Sequence, residues 1–66
     1  MENNFKENLK QLRKENKLSQ TQLASALNLT VKTFSHWETG YTEPSIKQIL
    51  ELAEFFHVPL EDLLCK

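Results

Sequence analysis

The stretch LSQTQLASALNLTVKTFSHWETG, residues 18–40, decides the fold, because two short helical patterns follow each other within it. Ser19 is a good N-cap, and Gln22 three positions later completes a Ser-x-x-Gln capping box at the start of the first pattern. Asn28 predicts the end of that helix, since asparagine tolerates left-handed backbone better than most residues. Thr30 then caps the next helix. Two short helices joined by the three residues NLT must cross at a steep angle.

The second of these helices combines two different faces. Phe34 and Trp37 lie three residues apart and fall on one side, where we expect them to enter the core. The other side carries Lys32, His36 and the β-branched Val31. A solvated face does not need this mixture, and an exposed β-branched residue is mildly unfavourable in a helix. The pattern therefore predicts a helix that anchors the fold on one side and contacts a partner on the other.

Helical periodicity continues on both sides of this segment. Phe5, Leu9 and Leu12 repeat at i, i+4 and i+7, which is one helical stripe. A second stripe follows Gly40 and consists of Ile46, Ile49, Leu50, Ala53 and Phe56. Pro59 suits the first position of a last helix, and no strand pattern occurs. We predict an all-α fold, a compact five-helix bundle in a single domain, 1–66, with helices at about 4–16, 19–27, 30–39, 45–57 and 59–64.

Composition excludes several classes of protein. The chain has 66 residues and 39% hydrophobic residues, enough for one small core. A single cysteine, Cys65, cannot close an internal disulfide, which is typical of a reducing compartment. No apolar run approaches the roughly 20 residues of a membrane span. The N-terminal MENNFKENLK is polar and charged, unlike a signal peptide. We therefore expect a soluble cytoplasmic protein that contacts no membrane.

The net charge of −1 argues mildly against nucleic-acid binding, but the charge is unevenly distributed. Residues 1–40 carry six basic and four acidic side chains, whereas residues 41–66 carry two and five. The first part could therefore face an anion. No paired carboxylates, Ser/His/Asp set or Gly-rich phosphate loop indicates an enzyme. The two histidines and the cysteine have no recognisable zinc spacing, so neither a metal nor a cofactor is predicted.

Residues from about 9 to 64 resemble the phage repressor/Cro-type helix-turn-helix family, also called the Xre family, whose DNA-binding domains are lambda repressor-like. The resemblance rests on Gln20, Leu23-Ala24, the W-E-x-G of 37–40, the E-P-S of 43–45 and the VPLEDLL of 58–64. The main departure is Asn28, where the family often has glycine. The resemblance implies a sequence-specific double-stranded DNA-binding transcriptional regulator of bacterial or phage type. It also implies a repressor that binds a palindromic operator as a homodimer.

The resemblance further implies that the third helix enters the DNA major groove. Base contacts are then expected from Val31, Lys32, Thr33 and His36. Lys32 can donate to guanine O6 and N7, and Val31 can pack on a thymine methyl, whereas His36 can donate or accept. Ser35 lies toward the same face, and Lys17 precedes the second helix as an electrostatic partner. Phosphate contacts are expected from side chains and amides around this helix, at Gln20, Lys17, Ser35, Thr39, Gly40, Tyr41 and Thr42.

Two structural assignments accompany these contacts. The family often pairs an arginine of the first helix with a glutamate of the third, here Arg13 and Glu38. We expect this ion pair to be partly shielded, which also leaves Arg13 able to point toward a phosphate. The dimer interface is expected at the last helix and the residues before it, where some side chains must also close the core. The candidates are Phe56, Pro59, Leu60, Leu63 and Leu64.

Two features of the sequence allow a second interpretation. Lys6, Lys10 and Lys14 recur at i, i+4 and i+8, which favours a solvated basic stripe, with attraction to DNA as the second interpretation. A second function keeps the fold and makes the protein an antitoxin-like or adaptor protein-interaction module, supported by the acidic C-terminal part. A regulatory protein is also a possible partner of the DNA-binding form. Steep salt dependence of duplex binding separates DNA binding from the adaptor.

Overall fold

The all-helical prediction is confirmed by the computed structural model, which describes residues 4–65 of the chain. These residues form five helices and no strand: α1 (Phe5–Glu15), α2 (Gln20–Ala26), α3 (Val31–Thr39), α4 (Ile46–Phe56) and α5 (Glu61–Leu64). None of these five combines the length and the apolar character needed to cross a membrane. The predicted domain, 1–66, extends past the described residues at both ends, because residues 1–3 and 66 lie outside them.

Side-chain caps begin the helices where the sequence marks them. Before α2, Ser19 Oγ accepts a hydrogen bond from Gln22 N at 3.0 Å, and Gln22 Oε1 accepts one from Ser19 N at 2.8 Å. Thr30 Oγ1 accepts from Thr33 N at 3.1 Å and so caps α3. These bonds satisfy amides that the first turn of a helix leaves without an intrahelical partner. A second capping box precedes α4 and is formed by Ser45 and Gln48.

The connection between α2 and α3 depends on one left-handed residue. Asn28 has a φ of 60°, a conformation that asparagine tolerates better than most residues other than glycine. Its neighbour Leu29 then donates from its backbone N–H to the Ala24 carbonyl at 2.8 Å. The chain reverses within these few residues, and α3 packs against α2. Ala24 is buried with 1% exposure, and a side chain this small allows the close approach of the two helices.

The core collects apolar side chains from all five helices. Half-buried leucines from the turns pack against its edge, including Leu18 and Leu29. Burial of these side chains is the main favourable contribution to folding of such a small chain. The buried apolar residues are Phe5, Leu9, Leu23, Ala24, Phe34, Trp37, Ile49, Leu52, Ala53, Phe56 and Leu63.

The inner face of α4 differs from the predicted stripe. That stripe includes Ile46 and Leu50, but their exposed fractions are 71% and 51%. Leu52, which the stripe omits, has no exposed surface. The buried residues follow i, i+3, i+4 and i+7 from Ile49 onward, and at about 100° per residue Ile46 and Leu50 fall beside that face. Together with Phe55, which is 37% exposed, the helix therefore keeps three large apolar side chains accessible to solvent.

Two of the residues predicted for a dimer interface belong to the core instead. Leu63 has no exposed surface and Phe56 is 8% exposed, so that part of the prediction is wrong. The reason is that α5 packs against α1 and α4, which turns the Leu63 side chain inward. Asn8 Nδ2 also donates to the Leu63 carbonyl at 2.9 Å and ties α5 to α1. The other candidates keep accessible surface: Pro59 is exposed, and Leu60 and Leu64 are half-buried.

The start of α5 also lies later than predicted. Pro59 was expected to occupy the first helical position, but α5 begins at Glu61 and Pro59 lies in the turn before it. Asp62 N donates to the Pro59 carbonyl at 3.0 Å, and Leu63 N donates to the Leu60 carbonyl at 3.0 Å. Hydrogen bonds of this i to i+3 spacing form a tight turn that leads into the helix.

Candidate nucleic-acid interface

The third helix presents one face to the core and the opposite face to solvent. Phe34 and Trp37 are 0% and 2% exposed, and their ring centroids lie 6.2 Å apart. On the other side, Val31 is 41% exposed and Lys32 is exposed. At about 100° per residue, two half-buried polar residues join them on this side. We call this side the reading face and define it by Val31, Lys32, Ser35 and His36.

Thr33 differs from the other predicted base-contacting residues. It is half-buried and lies at the edge of the reading face, about 60° from His36 around the helix. Its hydroxyl accepts a hydrogen bond from Thr30 Oγ1 at 2.9 Å, and its amide donates to the same oxygen at 3.1 Å. Thr33 therefore completes the N-cap of α3. A base contact from its side chain stays a prediction.

Arg13 and Glu38 form the ion pair that the family resemblance implies. Arg13 Nε lies 2.6 Å from Glu38 Oε2, and Arg13 Nη2 donates to Glu38 Oε1 at 3.1 Å. Arg13 Nη1 donates to the Leu18 carbonyl at 3.0 Å. All three nitrogens of the guanidinium thus donate within the protein, so it is not turned toward a phosphate. The side chains are only 13% and 1% exposed, which makes the pair a buried link between α1 and α3.

Gln20, the predicted phosphate contact at the start of α2, joins the same network. Its Nε2 donates to Glu38 Oε1 at 2.9 Å, so one N–H of the carboxamide is used inside the protein. The carboxamide nitrogen carries a second N–H, and a phosphate contact from Gln20 stays a prediction. Lys17 is exposed in the turn before α2, with a φ of 58°.

The main-chain carbonyl of His36 holds the turn after α3 by accepting several hydrogen bonds. This oxygen accepts hydrogen bonds from the amides of Gly40, Tyr41 and Thr42, the last two at 2.9 and 3.4 Å. The Thr39 hydroxyl donates to the same oxygen at 3.2 Å. Those amides therefore already have an acceptor within the protein, and phosphate contacts from them stay a prediction. The hydroxyls of Tyr41 and Thr42 are the groups left for that role.

His36 and Tyr41 also contact each other through their side chains. Their ring centroids lie 4.7 Å apart with the planes inclined at 56°, within the range of favourable aromatic pairs. Tyr41 is otherwise 77% exposed. This ring contact restricts the His36 side chain on the reading face. The positions of the two residues in the sequence do not indicate that they touch.

Lys6 is a residue that the sequence interpretation assigned to a solvated stripe. Its side chain crosses the end of α3: a Cβ atom added at Gly40 would lie 3.0 Å from Lys6 Cδ and 3.4 Å from Lys6 Nζ. Nothing in the spacing of α1 could reveal this neighbour, because the contact depends on how α1 packs against α3. The ammonium group therefore belongs to the same surface region as Tyr41 and Thr42.

The described residues contain no arrangement of metal ligands. Across residues 4–65, no group of three or more His, Cys, Asp or Glu side chains is positioned to hold a metal ion. Cys65 is an exposed free thiol at the end of this range. The side chains on the outer side of α3 are hydrogen-bonding groups, a histidine ring and the apolar Val31, which suit contact with an extended polar surface.

Comparisons with known proteins agree with this geometry. The helix-turn-helix family model HTH_3 matches residues 9–63. The chain is 37% identical over 60 residues to the uncharacterized HTH-type transcriptional regulator YqaE of Bacillus subtilis and to the HTH-type transcriptional activator BcrR of Enterococcus faecalis. It is 28% identical over 60 residues to the cryptic phage CTXphi transcriptional repressor RstR of Vibrio cholerae. The three alignments each cover 91% of this chain but 52%, 29% and 54% of those proteins, so the matched region is about half the length of two relatives and less than a third of the other.

A solved structure shares the whole arrangement of helices. The crystal structure of a transcriptional regulator from Listeria innocua superposes with a TM-score of 0.90 and 33% sequence identity. The superposition covers 100% of this chain and 62% of that one. The lambda repressor-like fold and the resemblance to Cro-type regulators are thereby confirmed.

Proposed function

The chain belongs to the helix-turn-helix family whose model matches residues 9–63, and from this membership we propose a sequence-specific, double-stranded DNA-binding repressor. It acts in the cytoplasm without enzymatic activity and binds a palindromic operator as a homodimer. The observation that carries the proposal is the reading face. Val31 and Lys32 on it are exposed and Ser35 and His36 are half-buried, while the other side of α3 is fixed in the core. A helix held in this way can enter a major groove without disturbing the fold.

The reading face has the donors and apolar groups that base edges require. Lys32 can donate to O6 and N7 of guanine, and Val31 can pack on the C5 methyl group of thymine. His36 can donate to or accept from a base, while the Ser35 hydroxyl serves either a base or a phosphate. Each good base contact of this kind discriminates by about 1–3 kcal/mol.

Phosphate contacts on both sides of α3 would fix its depth in the groove. Gln20 is the first residue of α2 and Lys17 lies in the turn before it, and the Tyr41 and Thr42 hydroxyls follow α3. The Thr39 hydroxyl already donates to the His36 carbonyl, so any contact it makes is as an acceptor or after that bond opens. These groups position the protein on the duplex and do not read its sequence.

Dimerisation is supported by the apolar surface that the folded monomer leaves accessible. Ile46 and Leu50 lie one turn apart on α4 and are 71% and 51% exposed. Three residues predicted for the interface from the sequence keep accessible surface and remain candidates beside them: Pro59, Leu60 and Leu64. A dimer places two reading helices on half-sites separated by about 34 Å, one turn of DNA. Two half-sites give the specificity that a few base pairs cannot.

Repression is the finer part of the proposal. It is supported by the name of one relative, the phage repressor RstR, whereas BcrR is named an activator. Once an operator is known from selection among random duplexes, expressing the protein beside a reporter that carries this operator distinguishes repression from activation. Reporter output falls for a repressor and rises for an activator.

Selection of bound fragments from random duplexes tests the proposal as a whole. A palindromic site with half-sites about one turn apart is expected, with affinity that falls steeply as salt rises. Failure to recover any preferred site, or binding that ignores salt, contradicts the proposal. That outcome favours the adaptor module, which the exposed Ile46 and Leu50 would also serve.

A further inference from the structure

The segment after α3, the helix that carries the reading face, lacks basic residues of its own. Residues 39–45, TGYTEPS, contain no lysine or arginine and include the acidic Glu43. The proposed function nevertheless brings this segment beside the DNA backbone, where cations supply most of the attraction to phosphate. Any positive charge at this position therefore comes from another part of the fold.

Lys6 of α1 supplies a positive charge at this position. Its side chain lies across Gly40, and a Cβ atom there would be 3.0 Å from Cδ, 3.7 Å from Cε and 3.4 Å from Nζ. The shallow groove at this point is lined by Lys6, Gly40 and Thr42, together with Phe5, Trp37 and Glu43. The lysine stem thus rests on the only described residue without a side chain, and its ammonium reaches the end of α3.

The geometry of α1 singles out Lys6 among the lysines of the stripe. Arg13 lies seven residues after Lys6, which places it within about 20° of Lys6 around the helix. Arg13 binds Glu38 of α3, so both residues lie on the side of α1 that faces α3. Lys10 and Lys14 are rotated away by about 40° and 80° and line a different surface pocket.

We infer that Lys6 is a phosphate-contacting residue that positions the C-terminal end of the reading helix on DNA. The inference rests on the proposed function. Lys6 on α1 thereby provides the positive charge that the loop after α3 lacks. The contact is made to the DNA backbone, so it raises affinity for every sequence alike and does not alter base preference.

Salt-dependent binding of Lys6→Gln and Lys10→Gln tests this role. Losing one phosphate contact reduces the slope of log affinity against log salt by about 0.9. Lys6→Gln should therefore weaken binding to the selected operator and to an unrelated duplex equally at low salt. Between about 50 and about 200 mM salt its affinity should fall roughly 3.5-fold less than that of the wild type. Lys10→Gln, the matched loss of one charge on the same helix, should keep the wild-type slope, and Lys6→Arg should restore it.

The outcomes separate this inference from the proposed function. A wild-type protein without salt-dependent duplex binding overturns the proposed function. Wild-type binding combined with an unchanged slope for Lys6→Gln overturns the inference alone. A second readout is the unfolding midpoint: a lower midpoint with an unchanged slope shows that Lys6 only stabilises the end of α3, and the inference fails. A smaller slope for Lys10→Gln as well shows a general charge effect, which also overturns it.

Discussion

Arg13 and Glu38 are 25 positions apart in sequence and form a two-point ion pair, in which two guanidinium nitrogens donate to the two carboxylate oxygens. The pair connects the last turn of α1 to the last turn of α3. Gln20 donates to the same carboxylate and adds the start of α2. One buried acidic group thus fixes the relative positions of the three helices around the reading face.

Removing the arginine should destabilise the fold strongly. Arg13→Ala leaves the Glu38 carboxylate buried without its cation, and breaking a buried pair in this way costs about 3–5 kcal/mol. Urea unfolding followed by circular dichroism measures the loss. Lys14→Ala, an exposed change on the same helix, should stay within about 0.5 kcal/mol of the wild type. A loss for Arg13→Ala below about 1 kcal/mol, as for an exposed pair, would contradict the buried link.

Gly40 should resist replacement by alanine for two reasons. Its φ of 82° is unfavourable for any side chain, at a cost of about 1–3 kcal/mol, and the new Cβ meets Lys6 Cδ at 3.0 Å. Gly40→Ala should therefore lower the urea midpoint. Asn28→Gly provides the control, because glycine adopts the φ of 60° at that position without a steric penalty. Equal stability of Gly40→Ala and wild type would show that the conformation after α3 is not as described.

Reading-face substitutions should change which DNA is bound. Lys32→Ala and His36→Ala are each expected to reduce discrimination by about 1–3 kcal/mol at one base position. Competition between the selected operator and single-base variants measures this directly. Lys47→Ala, which removes an exposed lysine from α4, should leave the preference intact. If both reading-face variants keep the wild-type site, bases are read by other residues.

The ring contact between His36 and Tyr41 should contribute to base discrimination. Tyr41→Ala removes the ring that packs 4.7 Å from His36, whereas Tyr41→Phe removes only the hydroxyl. We expect Phe to preserve discrimination at the base that His36 contacts, and Ala to lose it. A double-mutant cycle of Tyr41→Ala with His36→Ala should give a coupling of about 0.5–1.5 kcal/mol. Additive effects would mean that the two side chains act independently on DNA.

Two leucines should respond in opposite ways to the same change. Leu63→Asp places a charge in the core and should unfold the chain, because Leu63 has no exposed surface. Leu50→Asp changes a residue that is 51% exposed and should leave a folded monomer. Circular dichroism reports folding, and sedimentation reports the oligomeric state. A folded Leu63→Asp protein contradicts the core assignment, and a Leu50→Asp dimer moves the interface away from α4.

Local chemistry made much of the fold predictable. The Ser19–Gln22 capping box and the left-handed Asn28 depend on neighbouring residues alone, so their sequence pattern carries the information. The two faces of α3 follow from helical periodicity within nine residues. The Arg13–Glu38 pair came from the family resemblance, because no local rule connects side chains on separate helices.

The remaining assignments depended on packing between helices. Leu50 and Leu52 are equally apolar, and only the direction from which α4 meets the core decides which of them is buried. The same holds for Leu63, whose burial follows from the docking of α5 on α1. Lys6 reaches Gly40 through the contact between α1 and α3, a relationship that the spacing of lysines along α1 does not contain.

The loop after α3 is held by a peptide oxygen of residue 36 and not by that residue's imidazole. Exchanging the side chain there leaves this oxygen in place. Retargeting to a new operator can therefore proceed by varying position 36 in a library, with the scaffold of the turn preserved. Duplicated copies of such a gene would diverge in DNA specificity through the same change at a single position.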